Sequence, residues 1–354
     1  MKRNAILLLA LLGIVAAGCA KQPKKDTKAA AKTYFDALIS LRYPDAEATA
    51  NGAYILEKEG GEGEAISGED KPYVFVDYTT TDIDGNVEYT TVESIAKRTG
   101  AYDRTEFYGP QVWYFTDSYN GVYAGLQEGM EGMKPGERRK IAVPFWLLTY
   151  DRYSTTDKYL EKSAEGSHII YEVTLRSSCP DIKEWQGQQL DAYAKANLAG
   201  ADSTHIAGDE ELDKFGFYFV SKGLADEKFA DYEMPNDTTL YLNYTGRLPG
   251  GFVFDTTIEK VAKDAGVYSP SRTYEPLKVN RNEDYTKITY SNSTGTSEGD
   301  LIQGFKAAIY MMRPTEKAVT AFWSELGYGA SGYGYSIPSY SPLIFELELV
   351  AKPE

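Results

Sequence analysis

Two periodicities alternate along this chain. Leu240, Leu242 and Tyr244, then Leu343, Phe345, Leu347 and Leu349, and earlier Ile169, Tyr171, Val173 and Leu175 put apolar side chains at every second position. That is the period of a strand with one buried face. Leu301, Ile302, Phe305, Ala308, Ile309 and Met312 instead fall at i, i+1, i+4, i+7, i+8 and i+11, one face of a short helix. Few helices among several strands predict the α+β class: a curved antiparallel sheet packed on one face by a short helix. Two further helices are expected, over the Ala-rich stretch Thr27 to Ala50, with Phe35, Leu38 and Ile39 on one face, and over Ile182 to Leu198. Both read as linker helices too short for a coiled coil, with dimerisation as the alternative role of the first.

The helical pattern occurs twice. Leu301, Ile302, Gly304, Phe305, Ile309, Met312, Pro314 and Glu316 match Val122, Tyr123, Gly125, Leu126, Met130, Met133, Pro135 and Glu137 at a constant offset of 179 residues. Upstream, Tyr244 pairs with Tyr78 at an offset of 166, and downstream Phe345 pairs with Tyr171 at 174. Constant order with small drifts in spacing means tandem domains with loop insertions rather than a short-period solenoid. The organisation expected is a leader over 1–18, a tether and linker helix over 19–50, a first domain over 51–180, a linker helix over 181–210 and a second domain over 211–354.

Length and composition fit this division. A chain of 354 residues with 42% hydrophobic and 25% charged residues can build two ordinary cores. The net charge of −15 excludes nucleic acid as a partner, because phosphate binding needs clustered Lys and Arg. Two histidines, His168 and His205, and two cysteines, Cys19 and Cys179, leave no usual zinc site and no cofactor is expected. His168, in an apolar strand-like run, reads as structural.

The first residues read as an address. Met1-Lys2-Arg3 precedes an apolar run from Ala5 to Val15 that is too short to span a bilayer and ends in Val15-Ala16-Ala17-Gly18-Cys19. This resembles a bacterial lipobox, with Cys19 as the lipidated residue after cleavage. Lipid on Cys19 would bind the chain to a membrane. Ala20 resembles the sorting residue of outer-membrane lipoproteins, so an outer-membrane lipoprotein facing the periplasm is expected, with surface exposure the alternative. Asp202-Ser203-Thr204, Asp237-Thr238-Thr239 and Asp255-Thr256-Thr257 resemble an O-glycosylation acceptor of Bacteroidota, best placed at Ser203 in the linker.

The most specific pattern runs through residues 240–349: Tyr244-Thr245-Gly246, Phe254-Asp255, Leu301-Ile302-Gln303-Gly304-Phe305, Tyr328-Gly329, Ile337-Pro338 and Phe345. It resembles the FKBP-type peptidyl-prolyl cis–trans isomerases, and the duplication then implies two FKBP-like domains. The resemblance implies a pocket lined by Tyr244, Phe254 and Phe345 with Phe305 as its floor. Ile302 and Tyr328 would hold substrate carbonyls, and Asp255 would sit at the rim. Leu301, Ile337 and, in place of a missing aromatic, Leu277 would complete the substrate contacts. Proline-containing polypeptides and macrolides of the FK506 type are the implied ligands. The floor is Phe305 where the family usually has Trp, and Ser336 stands where an apolar residue is common.

In the first copy Thr90 is read at the place of the acidic rim residue. Tyr123 replaces the aliphatic Ile302, Leu126 replaces the aromatic floor, and no Ile-Pro flap follows. The first pocket is therefore expected to be inactive, leaving a binding or spacing module. A non-catalytic, chaperone-like lipoprotein is the alternative to an isomerase for the whole chain.

Overall fold

The computed structural model describes residues 27–70, 72–116, 121–199, 216–291 and 298–353. Cys19, Ser203 and His205 lie outside them. The described strands form two antiparallel sheets. The first joins β1 (Glu47–Ala48), β2 (Tyr54–Glu59), β3 (Tyr73–Thr81), β4 (Val87–Thr90), β5 (Gln111–Tyr114), β6 (Arg138–Val143) and β7 (Ile169–Cys179) in the order β1-β2-β6-β7-β3-β4, with β5 also on β3.

The second sheet is built from β8 (Tyr218–Leu224), β9 (Thr238–Arg247), β10 (Val253–Thr256), β11 (Leu277–Arg281), β12 (Thr289–Ser291), β13 (Glu298–Asp300), β14 (Glu316–Phe322) and β15 (Leu343–Val350). Its order is β13-β12-β11-β9-β15-β14-β8, with β10 also on β9. The alternating strands read from the sequence are β7, β9 and β15. Each sheet carries one short helix against its apolar face, Ala124–Met130 in the first half and Gln303–Met311 in the second.

The two halves repeat each other down to single hydrogen bonds. Tyr78 N–H donates to Thr91 Oγ1 and Tyr244 N–H to Thr257 Oγ1, both at 2.9 Å. The threonine pairs Thr79–Thr90 and Thr245–Thr256 share hydroxyl hydrogen bonds of 2.7 and 2.9 Å. Lys134 N–H donates to Glu137 at 2.9 Å, and Arg313 N–H to Glu316 at 2.8 Å. Stacked tyrosine pairs, Tyr102–Tyr108 and Tyr268–Tyr274, recur with centroids 5.3 and 5.4 Å apart. Such side-chain pairs are set by local sequence at fixed register, so their repetition fixes which residues correspond.

That register changes one assignment. Gly246 faces Asp255 across β9 and β10, and Thr80 faces Tyr89 across β3 and β4. The residue of the first half at the place of Asp255 is therefore Tyr89, not Thr90. Thr90 takes the role of Thr256. The loss of the carboxylate stands.

The two flanking helices are also more than spacers. Thr27–Arg42 buries Phe35 and Ile39 completely in the first core, where Phe35 stacks on His168 at 4.4 Å. His168 is structural: burial depresses its pKa to about 4, and its Nδ1 accepts from Phe145 N–H at 3.4 Å. Ile182–Asn197 starts at Asp181, whose carboxylate caps the Lys183 and Glu184 amides. Its first turns put Ile182 and Trp185 against Phe75 of the first half. Further on, Leu190 and Ala194 enter the second core, and Gln186 Oε1 accepts from the buried Ser324 N–H at 2.8 Å. One helix is thus glued to both halves. The Phe35 and Ile39 face of the first helix, for which dimerisation is the alternative role, is buried in the first core.

Candidate active site

The second half gathers aromatic residues from three strands onto the start of one helix. Gln303–Met311 begins beside β14 because Gly304 has no side chain: a Cβ there would lie 2.6 Å from the Phe322 ring. The helix then carries Phe305 on its buried face, 3% exposed. Phe305 contacts Phe345 of β15 at 4.7 Å between centroids and Tyr244 of β9 at 5.4 Å, edge-on. Phe254 of β10 meets Phe345 at 5.6 Å, again edge-on. Edge-to-face contact is the favoured arrangement of such rings. The expected floor and walls are therefore in one cluster.

A second close approach fixes the walls. A Cβ on Gly246 would sit 2.4 Å from Phe254 and 2.9 Å from Phe345. In the first half Thr80 occupies this position, and the partner ring is gone because Glu88 stands where Phe254 does. Sequence reading gave Gly246 no such role; its signal was the pairing of a glycine with an aromatic residue eight positions on.

At the rim, Tyr244 Oη donates to Asp255 Oδ2 at 2.5 Å, and the Arg272 guanidinium pairs with the other carboxylate oxygen. Burial first, and then the Asp255 charge, raise the Tyr244 pKa well above its ordinary value, so the hydroxyl keeps its proton. Arg272 was not foreseen, since an arginine seventeen residues from its partner carries no local signature. Tyr328 lies close enough to Asp255 to feel its charge, although burial is the larger cause of its raised pKa. Among the described residues, neither the Tyr328 hydroxyl nor the Ile302 N–H donates to another protein group. Two donors are left over on residues that pack against the aromatic core, Ile302 directly before the helix that carries Phe305.

The remaining expected contacts are more dispersed. Leu301 and Ile302 pack on the same core. Ile337 is buried, 2% exposed, and bridges to Tyr333 across the tip of its loop. Leu277 pairs with Leu242 and lines a hollow of about 440 Å³ with Tyr244, Arg272, Pro276 and Tyr290. Between β10 and the helix, β11 to β13 extend the sheet at its edge.

The first half is not a filled-in copy. A cavity of about 580 Å³ opens among Tyr78, Tyr89, Trp113, Tyr123, Tyr150 and Tyr171. Part of its wall comes from the second half: Tyr335 lies 5.5 Å from Tyr89, and the Phe107 N–H donates to the Tyr335 carbonyl at 2.9 Å. Phe107 in turn meets Phe252 at 5.7 Å. These contacts between halves were not legible beforehand.

The family profile described as FKBP-type peptidyl-prolyl cis-trans isomerase matches residues 67–176 and 283–350. Tyr244, Phe254 and Asp255 precede the second matched segment. The chain is 31% identical over 109 residues to FK506-binding protein 1A of Aspergillus fumigatus, across 31% of this chain and 72% of that protein. It is 27% identical over 112 residues to a probable FKBP-type peptidyl-prolyl cis-trans isomerase of Haemophilus influenzae, spanning 32% of this chain and 34% of that one. Among solved structures it is similar to the three FKBP domains of wheat FKBP73, at 17% identity over 84% of this chain and 94% of that one, with a TM-score of 0.29. FkpA from Escherichia coli gives 22% identity over 50% and 71% of the two chains, with a TM-score of 0.30. Scores this low carry nothing about the site.

Proposed function

The chain belongs to the FKBP-type peptidyl-prolyl cis–trans isomerase family, and from that premise we propose that its second half isomerises X–Pro bonds in polypeptides. Rotation about such a bond crosses a barrier of about 18–20 kcal/mol because the amide loses its resonance. The twisted amide has a less polar carbonyl than the planar one, so a water-poor aromatic pocket favours it over the planar, solvated form. No nucleophile or base is needed. Phe305 is the floor under the proline ring, and Tyr244, Phe254 and Phe345 are the walls. The Ile302 N–H and the Tyr328 hydroxyl bind the flanking carbonyls. Asp255, held by Tyr244 and Arg272, orients the rim, while Leu277, Leu301 and Ile337 contact the substrate's neighbouring side chains.

The observation that carries this reading is the convergence of four rings with two unused donors beside them. Proline-limited refolding of a model protein tests it. Catalytic amounts of the full chain should accelerate the slow phase, and a macrolide of the FK506 type should block that acceleration. A slow phase indifferent to the protein, with aggregation nonetheless suppressed, would favour the non-catalytic, chaperone-like alternative. The first half lacks the floor and the rim carboxylate, and we assign it no isomerisation. Anchoring in the outer membrane through lipid on Cys19 is proposed on the leader alone. Growth of the full-length chain with a labelled fatty acid tests it: a Cys19→Ser variant should lose the label.

A further inference from the structure

The cavity of the first half differs in electrical character from the pocket of the second. The shared register compares them position by position. Asp255 becomes Tyr89, Phe254 becomes Glu88, and Arg272 becomes Glu106. One balanced ion pair in the second half is thus exchanged, at these three matched positions, for two carboxylates and no cation. Glu88 lines the cavity, and Glu106 lies near enough to Tyr89 for its charge to bear on that hydroxyl. None of the described residues lining the cavity is a lysine or an arginine. The rest of the wall is aromatic: Trp113 lies 4.8 Å from Tyr78, and Tyr123 lies 4.7 Å from Tyr150.

We propose that this cavity binds an extended polypeptide segment through a lysine or arginine side chain. Electron-rich ring faces attract a cation, more strongly where it is partly desolvated. The two carboxylates add charge to that attraction, and a chain of net charge −15 draws basic segments to its surface. At about 580 Å³ the cavity takes one long side chain with the backbone on either side of it. A segment leaving it past Tyr335 runs onto the loop that also carries Ile337 of the second pocket. That the occupant is a polypeptide rests on the reading of the second half as a polypeptide-binding pocket; that it is cationic does not.

Binding of proline-free pentapeptides to the full chain, followed by tryptophan fluorescence, tests this. A peptide with a central lysine should bind about tenfold more tightly than the same peptide with glutamate, and added salt should erode the difference. The double variant Glu88→Gln/Glu106→Gln, both outside the buried core, should abolish the preference while leaving proline-limited refolding unchanged. Trp113→Phe should remove the signal, which assigns it to this cavity. Equal binding of both peptides, or a preference that survives the double variant, overturns the proposal. Lysinamide binding as tightly as the pentapeptide overturns the polypeptide part alone. Loss of isomerisation with the lysine preference intact counts against the second-half reading and supports this one.

Discussion

Gly246→Ala probes the candidate pocket at its tightest point. The added methyl would lie 2.4 and 2.5 Å from two carbons of Phe254 and 2.9 Å from Phe345. Carbon atoms in contact settle at about 3.5–4.0 Å, so one ring must move by about 1 Å. Phe345 cannot, because Phe254, Phe305 and Phe322 enclose it and it is 5% exposed. Phe254, only half-buried, yields instead and leaves the wall. Overpacking of this kind costs about 1–3 kcal/mol of stability, and a wall displaced by about 1 Å is enough to lower turnover by about a hundredfold. Urea unfolding and proline-limited refolding, on the same preparation, measure both effects. Thr80→Ala at the matching place in the first half should leave isomerisation unchanged. If Gly246→Ala equals the parent in both assays, Phe254 is not packed as described and the pocket geometry is wrong.

Two further outcomes follow from the scaffold. His168 has a folded pKa near 4 against an ordinary 6.5, because burial disfavours its charged form. Its contribution is intact above pH 6.5 and is lost as pH falls towards 4, while the unfolded chain takes up the proton and the folded chain does not; the loss reaches about 3 kcal/mol. Urea midpoints between pH 7 and pH 4.5 should therefore fall less steeply in His168→Phe, and parallel curves would contradict the assignment. Gln186→Ala strips the buried Ser324 N–H of its 2.8 Å partner, costing about 1–3 kcal/mol. The loss should appear as faster amide exchange at Ser324, and unchanged protection there would mean that the Gln186 contact is not formed.

The repeated motif was legible because its spacing is rigid. Gly125 and Gly304 sit at one helix turn, and Glu137 and Glu316 close the same loop on their own backbone, with equal spacing in both copies. The strands β7, β9 and β15 were legible from alternation, and Ile182–Asn197 from its helical spacing. Register was harder: Thr90 and Tyr89 are both plausible beside a turn, and only the pairing of Thr80 with Tyr89 chooses. An apolar stripe also does not say what covers it. Phe35 and Ile39 could have faced a second chain, and instead complete the first core. Arg272, Tyr335 and Phe107 act through partners distant in sequence, where composition and periodicity are silent. The exchange of charges between the pockets became readable only once that register was known.

The central claim is that Phe305 and Tyr328 carry isomerisation in the second half, and full-length variants test it most directly. Phe305→Leu installs the residue that the first half has at this place, Leu126, and Tyr328→Phe removes one unused donor. The account predicts that each lowers kcat/KM for proline-limited refolding by about tenfold or more, while Leu126→Ala leaves it within error. Full activity in both second-half variants, or its loss in Leu126→Ala, would contradict it.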